Sequence, residues 1–546
     1  MNALLPLVVI TPLAGAALAL AMRGSSRATR LIAVTTLAVQ LAIEVAMLAR
    51  IDSGGVMVVH LGGHQAPLGI TLVADRFASV LQLISTVVTL AVLIYAIAQQ
   101  RRDARPDGSS AAFYPAMLVM SAGVTDAFVA GDLFNLFVSF EILLTASYVL
   151  LTLGGTAERI RAGTPYLVVS LLSSVLFLAG IALVYAATGT VNLADLAEKI
   201  GDLSPGTAGL LQALLLVAFG IKAAVWPMSA WLPESYPSAP APVTAVFAGL
   251  LTKVGIYAIV RVQTLLAGGH ERFTVVLMAA ALATMLVGIL GAIADGDIKR
   301  MLSFTLVSHI GYMLFGVALG SQVALAATAF YIVHHILVQT ALFLAAGLIE
   351  YLRGTTKLAQ LGGLARAAPL LAVLFFVPAM NLAGVPPLSG FLGKVGLFEA
   401  GLSQGGTWPV MLVVGGAVTS LLTLYAIVRV WGRAFWRPTP LTGTAIAAAR
   451  GGDDSAVSPM QAERVVVLDA ADHVLPGAPT VQPPSRIRAH VLPAKLPRGM
   501  LAATVAIVLA GVMLTVAGGP IYGLLDRAAG DIANPDVYVS AVLGRP

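Results

Sequence analysis

The chain is a succession of apolar segments, each about as long as a membrane-crossing helix. Such a helix needs roughly 20 predominantly apolar residues. By this criterion we predict about fourteen spans, near residues 3–22, 30–48, 75–98, 112–130, 132–153, 166–188, 208–230, 242–265, 274–294, 301–319, 322–350, 367–399, 408–434 and 499–518. Because a chain in lipid must satisfy its backbone hydrogen bonds internally, these segments predict an all-α polytopic membrane protein.

Composition supports the same class and excludes several kinds of chemistry. The chain is 58% hydrophobic and 11% charged, with a mean hydropathy of +0.91, far outside the range of soluble domains. It has no cysteine, which excludes disulfides, Cys-ligated zinc, thiolate-held iron–sulfur clusters and c-type haem within it. We therefore expect any redox chemistry to belong to a partner. The first apolar run has no basic residue before it, so we interpret it as a span and not as a signal peptide.

The basic residues predict the orientation in the membrane. The formal net charge of +6 arises from residues scattered through short loops, which does not favour nucleic-acid binding. Lys and Arg should accumulate in cytoplasmic loops, and they do so after alternate spans, at Arg23, Arg27, Arg30, Arg101, Arg102, Arg105, Arg159, Arg161, Lys299, Arg300, Arg353, Lys357 and Arg366. The loop after the seventh span lacks basic residues, but the alternation makes it cytoplasmic. We predict a multi-pass protein of a prokaryotic plasma membrane with both termini outside the cytoplasm.

Two spans contain helix breakers, each near a lysine. Pro227 follows Lys222 by five residues, and the segment GVPPLSG at 384–390 precedes Lys394. Backbone groups freed at membrane depth must face protein or a hydrated cavity. Broken helices in corresponding halves indicate an internal repeat, and an odd number of spans per copy would invert the second copy.

These features predict the organisation of the chain. We expect N-terminal helices 1–3 in residues 1–111, two inverted five-helix repeats in 112–265 and 274–434, and a C-terminal helix with a tail in 499–546. Residues 435–498 are rich in Pro, Gly, Asp and Arg and predict a flexible cytoplasmic linker. Its apolar run RVVVLDA leaves a strand or docking segment as an alternative. The last span carries no charge, which predicts an anchor.

Four ionisable residues lie in apolar segments, namely Glu141, Lys222, Lys253 and Lys394. A charge at the bilayer centre costs roughly 2.5 to 3.5 kcal/mol on insertion scales, so each is a candidate functional residue. We predict that Glu141 and Lys222 form a coupled proton site, because a neighbouring lysine keeps a glutamate ionised until the lysine moves. A structural ion pair or a snorkelling side chain is the alternative. Lys253 is predicted to be a relay group, and Lys394 an entry or exit site.

Three histidines also lie in apolar helices: His309, His334 and His335. Histidine titrates close to neutral pH. Adjacent residues point about 100° apart on a helix, so His334 and His335 cannot form the one-face metal pair of i and i+4 spacing. We favour proton relay or water binding over metal ligation, and a structural hydrogen-bonding role stays open for each histidine.

The remaining acidic residues and glycines predict no further site. Asp132 is expected to cap a helix at the membrane edge. Asp295 and Asp297, beside Lys299 and Arg300, predict a solvated charge cluster. Neither a Walker A motif nor a strand-linked GxGxxG pattern occurs, so we expect no cofactor and no ATP-driven pumping by this chain.

The segments around these residues resemble a known superfamily. They are GDLFNLFVSFEILLTASYVLL, IKAAVWPMSAWLPESYPSAPAPVTAVFAGLLTKVGIYAIVR and VPPLSGFLGKVGLFEAGL. They are similar to the antiporter-like membrane subunits shared by respiratory complex I and Mrp-type multisubunit cation/proton antiporters, above all to the D-type subunits of the latter. The similarity extends over most of the chain.

The resemblance implies roles for individual residues. Glu141 and Lys222 would be the glutamate/lysine pair, Lys253 the bridging lysine and Lys394 the terminal lysine of a hydrated axis between two half-channels. The sequence departs from the pattern at Gln339, where many relatives have a lysine, so the central relay would depend on His334 and His335 with water. The long linker before the last span also departs from it.

The implied function is that of a proton-conducting membrane subunit of a multisubunit Na⁺/H⁺ antiporter, a transporter subunit more than a classical enzyme. Its partners would be other antiporter subunits, protons, Na⁺ and the lipid bilayer. One alternative is a proton-pumping subunit of complex I, an NADH:quinone oxidoreductase, or of a membrane-bound hydrogenase. An anion-binding solute transporter and an assembly scaffold are alternatives of another class. An anion transporter would bind its substrate tightly, and a scaffold would tolerate loss of every buried charge.

Overall fold

The structure is a computed structural model that describes residues 3–100, 109–266, 273–438 and 495–544. In this part the chain forms twenty α-helices, two strands and a few short 3₁₀ or π segments. The helices are α1 (Leu4–Ala21), α2 (Ser26–Gly54), α3 (Arg76–Gln100), α4 (Ser109–Val129), α5 (Leu133–Thr152), α6 (Ala157–Thr188), α7 (Leu193–Lys199), α8 (Pro205–Ala223), α9 (Trp231–Ser235), α10 (Ala241–Leu265), α11 (Thr274–Ala294), α12 (Ile298–Leu319), α13 (Gln322–Arg353), α14 (Leu364–Ala367), α15 (Pro369–Ala383), α16 (Ser389–Gln404), α17 (Thr407–Val430), α18 (Arg498–Val516), α19 (Gly518–Ala533) and α20 (Pro535–Leu543). The strands are β1 (Met57–His60) and β2 (Thr71–Ala74), and the short segments are Leu61–Gly63, Ile200–Asp202, Tyr236–Ser238, Leu358–Gln360 and Trp431–Trp436.

The helices confirm the predicted class of protein. Among the described residues, thirteen helices are long and apolar enough to cross a membrane. The remaining predicted span, 367–399, corresponds to α15 and α16, which have 15 and 16 residues and are separated by a break. The chain is therefore an all-α polytopic membrane protein with about fourteen spans, as predicted.

Helices α10, α12 and α13 form the centre of the bundle. Every residue in the most apolar stretch of α10 and of α13 is buried, compared with 33% in α1 and α2. A central helix has no lipid-facing side, so it can carry polar side chains without exposing them to hydrocarbon. This explains how Lys253 on α10, His309 on α12 and the two histidines of α13 are accommodated, all with no exposed surface.

Both predicted breaks are present. Helix α8 ends where Ala224 adopts a left-handed φ of 58°, and α15 ends where Gly384 adopts a φ of 84°. Lys222 lies in the last turn before the first break, and Lys394 lies in the second turn after the other. In each proposed repeat the broken helix is the fourth of five, which agrees with the repeat boundaries and leaves them a prediction.

Acidic residues cap two of the helices. Asp132 accepts a hydrogen bond from the backbone N–H of Asn135 at 2.6 Å, which confirms its predicted capping role at α5. Asp297 caps α12 through the N–H of Arg300 at 3.2 Å. The prediction of a solvated cluster beside it is wrong for Lys299, which is 4% exposed and pairs with Glu350 at 2.5 Å. Helix α13 is long enough to bring this carboxylate to the start of α12.

Loops that alternate along the chain meet at two opposite ends of the bundle. At one end, β1 and β2 form an antiparallel pair, and single bridges join Leu72 to Ala130 and Asp132 to Asn192. At the other end, Arg300 pairs with Glu234, and the segments around 297 and 357 are bridged. Near the N-terminus, α1 packs on β1 and β2, and α20, near the C-terminus, packs on α7 and β1, so both lie at the first end. Which end faces the cytoplasm stays a prediction.

The C-terminal helices return to the N-terminal part of the chain. Residues 439–494, which include nearly all of the predicted linker with its RVVVLDA run, lie outside the described residues. Helix α18 packs against α3 and α13. The predicted tail forms α19 and α20, and α19 is held by the ion pairs Arg76–Asp531 at 2.7 Å and Arg527–Asp52 at 2.9 Å.

Candidate functional site

The first group of predicted residues comes together where α5, α6 and α8 meet. The Lys222 Nζ lies 3.9 Å from a carboxylate oxygen of Glu141. The Ser174 hydroxyl on α6 donates a short hydrogen bond to the same oxygen and accepts one from Lys222 Nζ at 2.9 Å. Three helices thus converge on one hydroxyl bridge between the two charges.

The surroundings of this pair differ on its two sides. The Lys222 side chain is 9% exposed, and its Nζ lies 5.0 Å from the centre of the Phe140 ring, a favourable position for a cation. The Glu141 side chain is 33% exposed at the outer surface of the bundle. Lys222 also borders a cavity of about 20 Å³, which is enough for one water molecule. Its other lining residues are Phe140, Leu143, Leu144, Tyr166, Ser170, Trp231 and Leu251.

Lys253 lies deeper, in the centre of the bundle. Its side chain has no exposed surface, and its Nζ donates a hydrogen bond to the backbone carbonyl of Ala248 at 2.6 Å. Within the described ranges it forms no ion pair, so a neutral carbonyl is the group that stabilises its ammonium. The hydrogen bonds of Lys253, Lys222 and Lys394 in the described chain do not connect these lysines to one another.

The three histidines form one cluster with a tyrosine. His309 Nδ1 and the Tyr331 hydroxyl are 2.6 Å apart, and the rings of His309 and His335 have centroids 5.3 Å apart. The ring of His334 also lies next to Tyr331, and its Nδ1 is 3.0 Å from the Ser389 hydroxyl at the start of α16. The cluster therefore connects α12 and α13 to the broken helix.

Several atoms of this cluster keep unused hydrogen-bonding capacity. Of the described groups, none bonds to either ring nitrogen of His335 or to the Nε2 atoms of His309 and His334. Gln339 donates to the carbonyl of Leu302 at 2.7 Å, whereas its side-chain oxygen has no partner in the same part of the structure. Buried polar atoms normally have a partner, so this series offers positions for water and for a moving proton. No group of three or more His, Cys, Asp or Glu in the described chain could hold a metal ion.

Lys394 is held by the second break itself. Its Nζ donates to the carbonyls of Leu382 and Ala383, at 3.1 and 3.0 Å, which are carbonyls freed where α15 ends. It also lies 5.0 Å from the centre of the Tyr312 ring. A Cβ at Gly384 would come within 3.1 Å of the Lys394 Nζ, so the lysine packs closely on the left-handed turn.

Helix α18 contributes to this break, beyond the anchoring role predicted for it. The Thr515 hydroxyl accepts a hydrogen bond at 2.9 Å from the backbone N–H of Ser389, which the broken helix leaves free. The Asn381 side chain accepts from the N–H of Gly390 at 2.8 Å and also bonds to the Ser389 hydroxyl. The start of α16 is thereby satisfied by side chains, as membrane depth requires.

Sequence reasoning missed several buried ionisable groups in the same bundle, among them Glu44 and Arg261. Glu44 on α2 is 1% exposed, and Arg261 on α10 forms a buried ion pair with Asp75 and a hydrogen bond to Tyr257 at 3.0 Å. Each is a charge inside or at the edge of an apolar segment, the same signal that identified Glu141. That signal was sufficient to find both residues, although neither lies beside a helix break.

Comparisons with known proteins identify a family for this arrangement. The profile of the family described as "NADH:quinone oxidoreductase/Mrp antiporter, TM" matches residues 130–423. A protein of Alkalihalophilus pseudofirmus, named as the D subunit of a Na(+)/H(+) antiporter, is 42% identical over 399 residues, which cover 72% of this chain and 79% of that protein. The protein of the same name from Bacillus subtilis is 38% identical over 440 residues, which cover 80% and 87%.

Solved structures show the same architecture. A chain of the Mrp complex from Dietzia sp. is 33% identical and superimposes with a TM-score of 0.83, covering 100% of this chain and 99% of that one. A chain of respiratory complex I from Thermus thermophilus is 21% identical, with a TM-score of 0.74 and coverage of 97% and 99%. The second similarity shows the shared fold alone.

Proposed function

Because this chain belongs to the family of NADH:quinone oxidoreductase and Mrp antiporter membrane subunits, we propose that it is the proton-conducting membrane subunit of a multisubunit Na⁺/H⁺ antiporter. The observation that carries the proposal is the hydroxyl-bridged contact between Glu141 and Lys222 at the first helix break. The relatives named as D subunits of Na(+)/H(+) antiporters and the Mrp complex neighbour favour this function over a redox-driven one.

The Glu141–Ser174–Lys222 group would act as the gate. With both charges present, Ser174 and Lys222 stabilise the Glu141 carboxylate. Protonation of Glu141 removes that attraction and frees Lys222, which lies in the last turn before the break and can move with it. A charge change at Glu141 is thus converted into a displacement of Lys222, and the cavity beside Lys222 provides a place for water during the transfer.

The central groups would carry the proton between the two breaks. We assign this relay to Lys253, His309, His334 and His335, with Gln339 holding water through its unpaired oxygen. The tyrosine hydroxyl of Tyr331 joins the histidines, because it is 2.6 Å from His309 Nδ1 and can donate or accept. Lys394 would be the terminal group, held by backbone carbonyls at the second break.

The transported cation and the surroundings follow from the same proposal. Na⁺ would be exchanged for protons at the expense of the membrane potential, which is worth about 2.3 kcal/mol per charge per 100 mV. The partners would be the other antiporter subunits and the lipid of a prokaryotic plasma membrane, with both termini of this chain outside the cytoplasm. Residues 1–111 and 499–546 would surround two inverted repeats, 112–265 and 274–434.

Transport by the native assembly tests the proposal. In inverted vesicles, sodium-dependent proton movement is followed with a pH-sensitive dye for the unaltered chain, Lys222→Ala and Glu141→Ala at matched expression. We expect both variants to assemble and to lose exchange. Lys199→Ala is the matched control, since Lys199 pairs at 2.9 Å with Asp195 on the short helix α7 and should leave exchange unchanged. Exchange that survives in both assembled variants would favour the scaffold or redox-driven alternative.

A further inference from the structure

A second buried carboxylate lies among helices that precede the predicted repeats. Glu44 on α2 is 1% exposed and bonds to α3, and Gln40 one turn before it bonds to α4. One of its oxygens, Oε1, accepts hydrogen bonds at 2.9 Å from the Gln40 side-chain amide and at 2.9 Å from the Thr86 hydroxyl. Two helices, α2 and α3, therefore supply the donors to one carboxylate oxygen.

The neighbouring polar groups extend this cluster. The Gln40 amide also donates to the Thr125 hydroxyl at 2.9 Å, and the Ser121 hydroxyl donates to the Gln40 oxygen at 3.3 Å. Gln82 on α3 donates to the Thr125 carbonyl at 3.3 Å. Gln40, Gln82 and Thr125 are at most 1% exposed, so the cluster is closed to lipid.

The cluster contains acceptors that lack donors. Glu44 Oε2 and the Gln82 side-chain oxygen are both buried and have no hydrogen-bond partner among the described residues. Among the described residues, no basic side chain lies within ion-pair distance of Glu44 either. An unpaired buried carboxylate costs several kcal/mol, whereas a carboxylic acid supplies one O–H donor to a neighbouring acceptor. A proton on Glu44 would remove the uncompensated charge from this buried site.

The position of Glu44 along its helix gives its depth in the membrane. It lies ten residues before the end of α2, about 15 Å along the helix. Thr86 lies ten residues after the start of α3, again about 15 Å from the same end of the bundle. With a hydrocarbon core of about 30 Å, the carboxyl lies near the middle of the membrane.

The charged groups on the helices around Glu44 are few. Helix α1 has no ionisable residue, and the charged residue of α3, Arg76, lies at its first position and is bonded to Asp52 and Asp531. On α4, Asp126 follows Thr125 directly but is turned to α5, where it accepts from the Ser139 hydroxyl at 2.7 Å. On α2 itself, Arg27 and Arg30 lie in the first two turns, and Arg50 and Asp52 lie in the last two. Asp126 is therefore the one other buried carboxyl in the described part of α1 to α4.

We propose that Glu44 is a second proton-binding site of this chain, whose carboxyl takes up and releases a proton between α2, α3 and α4. A role for Glu44 in transport rests on the proposed function, because Glu44 would then exchange protons with the end of the bundle that carries β1 and β2. The binding of the proton does not depend on that function. The two ideas can therefore fail separately.

Infrared spectroscopy of the native assembly in lipid tests the site directly. Difference spectra between acid and alkaline buffer report the carbonyl band of each carboxyl group that changes its protonation. We expect one such band to be missing in Glu44→Gln and retained in Glu141→Gln and Lys222→Ala. Glutamine keeps an oxygen to accept from Gln40 and Thr86, so this variant should fold. Asp126→Asn is the control for another buried carboxyl, and it should remove a different band or none.

The outcomes separate the explanations. A spectrum of Glu44→Gln identical to that of the unaltered assembly overturns the proposal, because a carboxyl with constant protonation gives no difference band. Loss of the band with reduced sodium-dependent proton movement supports both the site and its role in transport. Loss of the band with normal exchange supports the binding site and removes Glu44 from the transport path. A Lys222→Ala assembly that loses exchange but keeps the band supports the proposed function and shows that proton binding at Glu44 does not depend on it.

Discussion

At the scale of single residues, the contact between Glu141 and Lys222 depends on a neutral group, the hydroxyl of Ser174. The two charged atoms are 3.9 Å apart, whereas the Ser174 hydroxyl is within hydrogen-bond distance of both. An O–H can donate to a carboxylate and accept from an ammonium at the same time. Ser174 therefore sets the separation of the pair and offers the shortest route for a proton between them.

We predict that Ser174→Ala slows sodium-dependent exchange about tenfold. A hydrogen bond to a charged group is worth about 1.5–3 kcal/mol, and about 1.4 kcal/mol corresponds to a factor of ten. The measurement is the initial rate of dye response in inverted vesicles. Ser173→Ala is the matched control, because the Ser173 hydroxyl bonds the backbone carbonyl of Ala218 at 2.8 Å and does not contact the pair. An equal loss in both variants would mean that the helix contact matters and the bridge does not.

Sequence reasoning reached the charged members of the site better than the neutral ones. Glu141 and Lys222 could be paired because a charge in an apolar segment is costly and because the surrounding segments resemble a known family. Ser174 and Tyr331 could not be found in this way. Hydroxyl residues are common in membrane helices and usually bond their own backbone, so nothing in the sequence marks these two as partners of ionisable side chains.

At the scale of helices, the two breaks share one arrangement of helices but have different residues at the left-handed position. In each proposed repeat the second and third helices pack together, and the third packs on the broken fourth: α5, α6 and α8 in one, α12, α13 and α15 with α16 in the other. Ala224 holds the left-handed position at the first break and Gly384 holds it at the second. A left-handed alanine costs roughly 1–2 kcal/mol, and such strain is often found at functional sites.

We predict that Gly384→Ala impairs exchange more than backbone strain explains. The new Cβ would lie 3.0 Å from Lys394 Cδ and 3.1 Å from its Nζ, so the lysine must move. Gly189→Ala is the matched control, because Gly189 ends α6 in the same left-handed region, with a φ of 73°, and has no atom within 4 Å of the added Cβ. Both variants should lower the unfolding free energy by about 1–2 kcal/mol.

Thermal unfolding of the purified assembly and exchange in vesicles separate the two effects. The control should lose stability alone, and Gly384→Ala should lose stability and exchange. If both variants transport equally well, the close packing of Lys394 on the turn has no functional importance.

At the scale of the whole molecule, the described loops lie at two opposite ends of the bundle, and the assignment of the basic loops to the cytoplasm stays a prediction. The contacts between loops are independent of that charge pattern, since they include backbone bridges such as Asp132 with Asn192. The positions of the spans followed from apolar length alone. The strands β1 and β2 and the helices α19 and α20 were not predicted, because they are short and their stability comes from packing on other segments.

Two single-cysteine variants would determine which end faces the cytoplasm. The chain has no cysteine of its own, so a membrane-impermeant maleimide can react only with the introduced one. Gly201 and Gly296 are both exposed, with no atom within 4 Å of an added Cβ, and they lie in loops predicted on opposite sides. In right-side-out vesicles we expect Gly201→Cys to react at once and Gly296→Cys only after permeabilisation. The reverse pattern would invert the predicted topology.

The return of the last helices to the start of the chain affects when the protein can be completed. Helix α18 covers parts of α3 and α13, its Thr515 satisfies the backbone of the second break, and α19 is bonded to Asp52 and Arg76. A ribosome delivers the N-terminal helices first. Until α18 has been inserted, the amide of Ser389 lacks its acceptor and the side of α3 that packs on α18 faces lipid. The second break and the outer side of α3 can therefore be completed only after α18 has been synthesised, and a nascent chain stalled before α18 would leave both without their partner.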